Sequence, residues 1–147
     1  MHYAFLLNFF ADKKRLAKVK DAIRELENRI GSEFVHVHTT EYAGHAGILA
    51  GEYEARYGGD VLVLACGGDG TVNEVANGII GYDNAAMSVI PVGTGNDFLK
   101  NFGGDRDKFR DAENLWDGPQ FPMDAIDVNG RVALTIACSG IDARVAR

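Results

Sequence analysis

Asp60–Ile80 reads DVLVLACGGDGTVNEVANGII and sets out a strand, a glycine turn and a helix in one short span. Val61 to Ala65 is a continuous apolar run, not an alternating one, which suits a strand covered on both faces of a parallel sheet. Gly67, Gly68 and Gly70 then crowd together, and residues without a Cβ let a ligand approach the backbone closely. Val72, Val75, Ala76, Ile79 and Ile80 follow at i, i+3, i+4, i+7 and i+8, one apolar stripe that places a helix start near Thr71. Free N–H groups at such a start, with the positive end of the helix dipole, favour a phosphate.

On the amino-terminal side, Tyr3 to Leu7 reads as a first strand ending at Asn8. Leu16, Val19, Ile23, Leu26 and Ile30 recur at helical spacing until Gly31. Phe34, Val35 and Val37 lead into His38-Thr39-Thr40, a second strand that delivers hydroxyls to its carboxyl end, the edge where open α/β sheets bind ligands. Ala43 to Tyr57 reads as a second helix in spite of Gly44, Gly47 and Gly51, each of which weakens a helix by up to about 1 kcal/mol. On the carboxyl side, Met87 to Ile90 is a fourth strand, followed by a second glycine turn, Pro91-Val92-Gly93-Thr94-Gly95-Asn96-Asp97. Arg110 to Trp116 suggests a short helix. Met123 to Val128 and Val132 to Ala137 then read as strands joined by an Asn129-Gly130 hairpin signal. The order βαβαβαβ with right-handed crossovers predicts a three-layer α/β/α sandwich with a mostly parallel sheet over residues 1–120. Residues 121–147 read as the opening strands of a β-rich second domain.

Composition narrows the partners. With 147 residues, 46% of them hydrophobic, the chain is long enough for one core, and its net charge of −6 gives no broad electrostatic footprint for nucleic acid. Cys66 and Cys138 lack zinc-site company and read as reduced thiols of a cytoplasmic protein. His36, His38 and His45 share no metal-ligand spacing.

The two turns fail the P-loop pattern, since neither is followed by Gly-Lys-Ser or Gly-Lys-Thr. Gly68-x-Gly70-x-x-Asn73 nearly fits the dinucleotide fingerprint but leaves Asp69 unexplained, because a carboxylate in a phosphate turn repels its ligand unless a metal or hydroxyl stands between them. Phosphoryl transfer supplies a use for such acids, as holders of Mg²⁺ and neighbours of the acceptor hydroxyl. Asp69, Asp97 and Asp124 are the candidates. Aspartate also caps helices and stabilises turns, so the residues by themselves leave both readings open. Glu74, on the polar face of the third helix, reads equally as a support for the turn or as a surface charge.

GGDGT at Gly67 to Thr71, continuing through Asn73-Glu74 and Asn77-Gly78, together with Pro91-x-Gly93-Thr94-x-Asn96-Asp97-Phe98, closely resembles the catalytic domain of diacylglycerol kinases and related bacterial lipid kinases. Asn8, Thr40-x-x-x-Gly44-His45-Ala46, Asp124, Asn129 and Ser139-Gly140-Ile141-Asp142-Ala143 match further points of that family, so the resemblance spans nearly the whole chain. GGDGT by itself also fits NAD kinases and phosphofructokinases; the second motif favours lipid kinases.

The resemblance implies an ATP-dependent transfer of phosphate to the hydroxyl of diacylglycerol or a similar lipid. It implies that Gly67, Gly68, Gly70, Thr71 and Asn73 line the ATP phosphates, with Asn8, Thr40, Gly93, Thr94 and Asn96 as further nucleotide contacts. Asp69, Asp97 and Asp124 would place Mg²⁺ and the acceptor. Phe9-Phe10-Ala11 departs from the family, which has proline after the asparagine and a glycine downstream. Family members also carry a second, β-rich domain with the lipid cleft and an acidic base, so the expectation is a nucleotide-binding part inactive alone. Peripheral contact with the inner membrane face is expected of the parent, and the open strands after Phe121 would allow pairing with a second copy. A soluble-substrate kinase of the NAD kinase type and a non-catalytic nucleotide-binding module are the alternative readings.

Overall fold

The computed structural model describes residues 1–116 and 118–139. Strands β1 (His2–Asn8), β2 (Val35–Thr40), β3 (Val61–Gly67) and β4 (Ala86–Pro91) form one sheet in the order β2-β1-β3-β4. All three pairings are parallel. Every residue of β3 is buried, whereas β2 exposes three of its six at the sheet edge. That difference is the reason β3 has no hydrophobic alternation: helices cover both of its faces.

Helix α1 (Lys13–Ile30) lies on one face and turns Val19, Ile23 and Leu26 inward. They pack with Tyr3, Phe5, Leu7, Leu64, Cys66 and Trp116. Each large apolar side chain buried there stabilises the fold by about 1.5–3 kcal/mol. Asp12 caps the helix, its Oδ1 accepting the N–H of Arg15 at 2.9 Å, and Gly31 ends it at φ 102°. Burial pushes the Cys66 thiol up, so it stays an unreactive core group. Helices α2 (His45–Tyr57) and α3 (Asp69–Ile79) cover the other face, where Leu49, Tyr53, Val72 and Val75 meet Ala4, Leu6, Val63 and Ala65. The molecule is therefore the three-layer α/β sandwich that the sequence predicts.

Glycines in α2 and α3 let the two helices touch through their backbones. A Cβ on Gly78 would overlap the Gly47 carbonyl, one on Gly47 would lie 2.8 Å from the Glu74 carbonyl oxygen, and one on Gly51 would lie 3.1 Å from that of Gly78. The residues that weaken α2 as an isolated helix are the ones its packing requires.

Other elements differ in extent from the expectation. Helix α3 starts two residues early, at Asp69, because Gly68 already occupies the cap position. The stretch after the second turn is a 3-10 segment, Asp97–Arg110, broken at Gly103 (φ 54°, ψ −123°), with a further 3-10 turn at Ala112–Asn114. The carboxyl-terminal hairpin is shorter than predicted, β5 (Ile126–Val128) against β6 (Arg131–Ala133). Asn129 and Gly130 both have positive φ, as its tight turn needs. Asn77 holds this hairpin on α3: its Nδ2 donates to the Val132 carbonyl at 2.8 Å and its Oδ1 accepts the Val132 N–H at 2.9 Å. From Gly140 onward the expected glycine-aspartate segment lies outside the described residues.

Candidate functional site

The carboxyl ends of β1, β3 and β4 converge, and the two glycine turns meet there. The Gly67 carbonyl accepts N–H groups from Val92 at 3.2 Å and Gly93 at 3.3 Å. A Cβ on Gly93 would stand 2.7 Å from the Gly68 Cα, so the turns touch backbone to backbone and glycine is needed at that contact. A Cβ on Gly67 would overlap the Thr71 side chain. At Gly70 a Cβ would meet nothing within 4 Å, so glycine there leaves open space beside the turn.

Helix α3 opens at Gly68 without a side-chain cap. Its first-turn N–H groups and the positive end of its dipole therefore suit an anion. The Asp69 carboxylate, which would oppose that anion, is turned onto the other loop. Its Oδ2 accepts the N–H of Asp97 and its Oδ1 that of Phe98, both at 2.9 Å. Asp69 thus caps the segment that follows the second turn and fixes where Asp97 stands. Asp97 is exposed, and its Oδ1 lies 2.6 Å from Lys100 Nζ. Asn96 takes a left-handed conformation (φ 60°, ψ 45°), with its Nδ2 donating to the Gly93 carbonyl at 3.0 Å.

A second group of polar residues gathers on the β1 side. Asn8 Nδ2 donates to Thr71 Oγ1 at 2.8 Å, and Thr40 is the parallel partner of Asn8 in the neighbouring strand. Thr40 and Thr71 are both buried. The structure therefore joins Asn8, Thr40 and Thr71 in one corner and Asp69, Gly93, Asn96 and Asp97 in the adjoining one. Asn73 lies one turn into α3, beside a hollow of about 110 Å³ that Asp69, Phe98 and Leu134 also line. Thr94 lies on the rim of a larger cleft of about 880 Å³, open along α1 and bordered by Arg15, Lys18, Lys100, Arg106 and Arg110. The GGDGT turn does not line this larger cleft, which flanks only the second turn.

Asp124 is exposed, in the segment leading to β5, and among the described residues no group of three or more His, Cys, Asp or Glu side chains gathers as a metal centre. Of the three candidate acids, Asp69 and Asp97 are joined directly, the Asp69 carboxylate accepting the Asp97 N–H.

Three contacts were not legible in the sequence. Arg15 Nη1 donates to the Gly93 carbonyl at 2.7 Å across 78 positions of sequence, and nothing local signals it. Glu74 Oε1 accepts the Gly44 N–H at 2.7 Å, so it supports the α2 start and is not a free surface charge. The Gly47/Gly51 spacing, one helical turn apart, was the available sign of the α2–α3 contact.

The family model for the diacylglycerol kinase catalytic domain matches residues 2–128, which takes in both glycine turns. The chain belongs to the diacylglycerol kinase catalytic domain family. It is 39% identical over 130 residues to the diacylglycerol kinase of Bacillus subtilis strain 168, a match covering 87% of this chain and 41% of that protein. It is 42% identical over 72 residues to the lipid kinase YegS of Escherichia coli K12, covering 47% and 23% respectively. Among solved structures, a diacylglycerol kinase from Bacillus anthracis str. Sterne superposes with a TM-score of 0.69 at 24% identity, over 89% of this chain and 45% of that one; this likeness speaks for the fold. The chain thus spans less than half the length of these relatives.

Proposed function

We propose that this chain is the nucleotide-binding part of an ATP-dependent lipid kinase, which transfers the terminal phosphoryl group of ATP to the hydroxyl of diacylglycerol or a similar lipid alcohol. The observation that carries the reading is the direct backbone contact of the two glycine turns, beside an uncapped helix start and with Asp69 fixing Asp97. Phosphate oxygens would approach at Gly68 and Gly70, where no Cβ intervenes, and take N–H groups of the first turn of α3. Thr71 and Asn73 would flank them, Asn8 and Thr40 would close the β1 side, and Gly93, Thr94 and Asn96 the β4 side.

Two adjoining carboxylates fit Mg²⁺, which keeps several waters and takes one or two protein carboxylates together with substrate phosphates. Asp69 and Asp97 would hold it, through water where their oxygens already serve backbone N–H groups, and Asp124 would join only in the presence of further chain. When bound, the ion neutralises charge developing on the transferred group. Asp97 is the exposed member of the pair and is the residue assigned to orient the acceptor hydroxyl. The lipid-facing cleft and the base belong in this reading to a second domain, of which β5 and β6 would be opening strands. Among the described residues no helix is long and apolar enough to cross a membrane. In this reading the lipid would be met by peripheral contact.

The test is turnover in a full-length protein that contains this chain. With radiolabelled ATP and diacylglycerol in mixed micelles, the parent forms a labelled phospholipid and Asp97→Asn abolishes it at unchanged thermal stability. Turnover unaltered by that substitution removes Asp97 from the mechanism.

A further inference from the structure

Beyond Thr40 the β2–α2 loop carries two stacked rings at the carboxyl edge of the sheet. Tyr42 and His45 lie parallel, their planes 4° apart and their centroids 4.5 Å apart. His45 covers one face of the Tyr42 ring, and Tyr42 is 55% exposed, so its other face meets solvent. The loop is held at successive points. The Tyr42 carbonyl accepts the His45 N–H at 3.2 Å, His45 Nδ1 accepts the Glu41 N–H at 3.1 Å, and Glu74 on α3 accepts the Gly44 N–H at 2.7 Å. Tyr42 belongs to neither apolar core, so its ring contributes little to the packing of the fold. A flat ring fixed on one side and open on the other is a surface for stacking a second ring, and little conformational entropy is lost when a ligand settles on it.

The distance from the glycine turns limits what that second ring can be. Tyr42 stands two residues past Thr40, the β2 partner of Asn8, and Asn8 in turn bonds Thr71 in the first turn of α3. Only β1 separates β2 from β3, so their carboxyl ends lie about 10 Å apart, two strand spacings. That gap is about the length of a ribose with its linking phosphate. A nucleotide whose outer phosphates rest at Gly68 and Gly70 therefore brings its base to the β2–α2 loop. Glu74 ties this loop to the same helix whose start forms the phosphate cradle, so ring and cradle share one frame.

We propose that Tyr42, backed by His45, is the platform on which the base of the phosphate donor stacks, and that it favours a purine. A purine covers more of the phenol ring than a pyrimidine does, and stacking a base on an aromatic side chain changes affinity by about five- to 150-fold. Tyr42 carries no charge and stands across β1 from the cradle, so it contributes nothing to holding the phosphates. It is a positioning residue, which orients the nucleoside while the glycine turns hold the reacting end. The inference rests on the nucleotide reading of the site and adds to it the side chain that meets the base.

Calorimetric titrations of the chain compare MgATP, MgUTP and magnesium tripolyphosphate, which carries the phosphates without a base. The parent is expected to bind MgATP more tightly than MgUTP. Tyr42→Ala lowers the affinity for MgATP by about tenfold, narrows the preference for ATP over UTP, and leaves the affinity for tripolyphosphate unchanged. Tyr42→Phe keeps the ring and binds MgATP as the parent does. Circular dichroism of both variants matches that of the parent, since the ring lies outside the core. Equal MgATP affinity in the parent and Tyr42→Ala overturns the platform and leaves the nucleotide reading standing. An equal loss of tripolyphosphate affinity overturns it as well, because Tyr42 then shapes the loop and does not meet the base. A parent that binds MgATP and MgUTP alike overturns the purine preference. Absence of MgATP binding in the parent refutes the nucleotide reading and the platform together.

Discussion

Asp69 looks out of place in a phosphate turn until its partners are seen: both oxygens receive N–H groups of the opposite loop, at Asp97 and Phe98. Asp69→Ala removes two charge-assisted hydrogen bonds from a half-buried group and should cost about 1–2 kcal/mol. Urea denaturation measures the loss, and faster amide exchange at Asp97 and Phe98 locates it; unchanged exchange there would contradict the capping role. His36 is the residue that links stability to pH. Burial first, then the nearby charges of His2, Arg56 and His38, hold its pKa below the ordinary imidazole value. The ring packs between His2 and the tyrosines 53 and 57, with His2 Nδ1 at 3.1 Å from His36 Nε2. The unfolded chain therefore binds a proton at this residue, near its ordinary pKa of about 6.5, before the folded one does. Stability should be complete above about pH 6.5 and fall as the pH drops below it, levelling once the folded His36 is itself protonated. Urea midpoints at successive pH values in parent and His36→Phe check this, and the variant should lose part of the slope.

At the scale of elements, the contact between α2 and α3 is set by glycines. Gly78→Ala drives a methyl into the Gly47 carbonyl and should destabilise by about 1–3 kcal/mol or more. Gly70→Ala, in the same helix and facing open space, should be neutral or stabilising by up to about 1 kcal/mol. Equal stability of the two variants in denaturant would contradict the close crossing. The strands and helices were legible because their signals are local: an unbroken apolar run for β3, a stripe for α1, glycine at each helix end. Helix crossing was not, since it depends on which glycines of two separate segments come face to face. The 3-10 segment after Asp97 drew no prediction, for a related reason. Its buried Phe98 and Leu99 answer to the α2–α3 face, and Gly103 breaks any longer helical period.

At the scale of the whole molecule, the parallel order β2-β1-β3-β4 brings three loop ends to one edge and sets Asn8 beside Thr71, and Asp69 beside Asp97. The candidate site was legible to the extent that both turns stand in the sequence as motifs. Their mutual contact and that of Arg15 on Gly93 were not, because these depend on how distant segments are placed. The nucleotide reading can be tested apart from turnover, by calorimetric titration of the chain with MgATP in parent and Gly70→Ala. Saturable binding is predicted in the parent, weakened at least tenfold by a methyl that leaves the melting temperature unchanged or higher. Absence of heat at millimolar MgATP, or equal affinity in the two proteins, would contradict a phosphate held against the backbone of the first glycine turn.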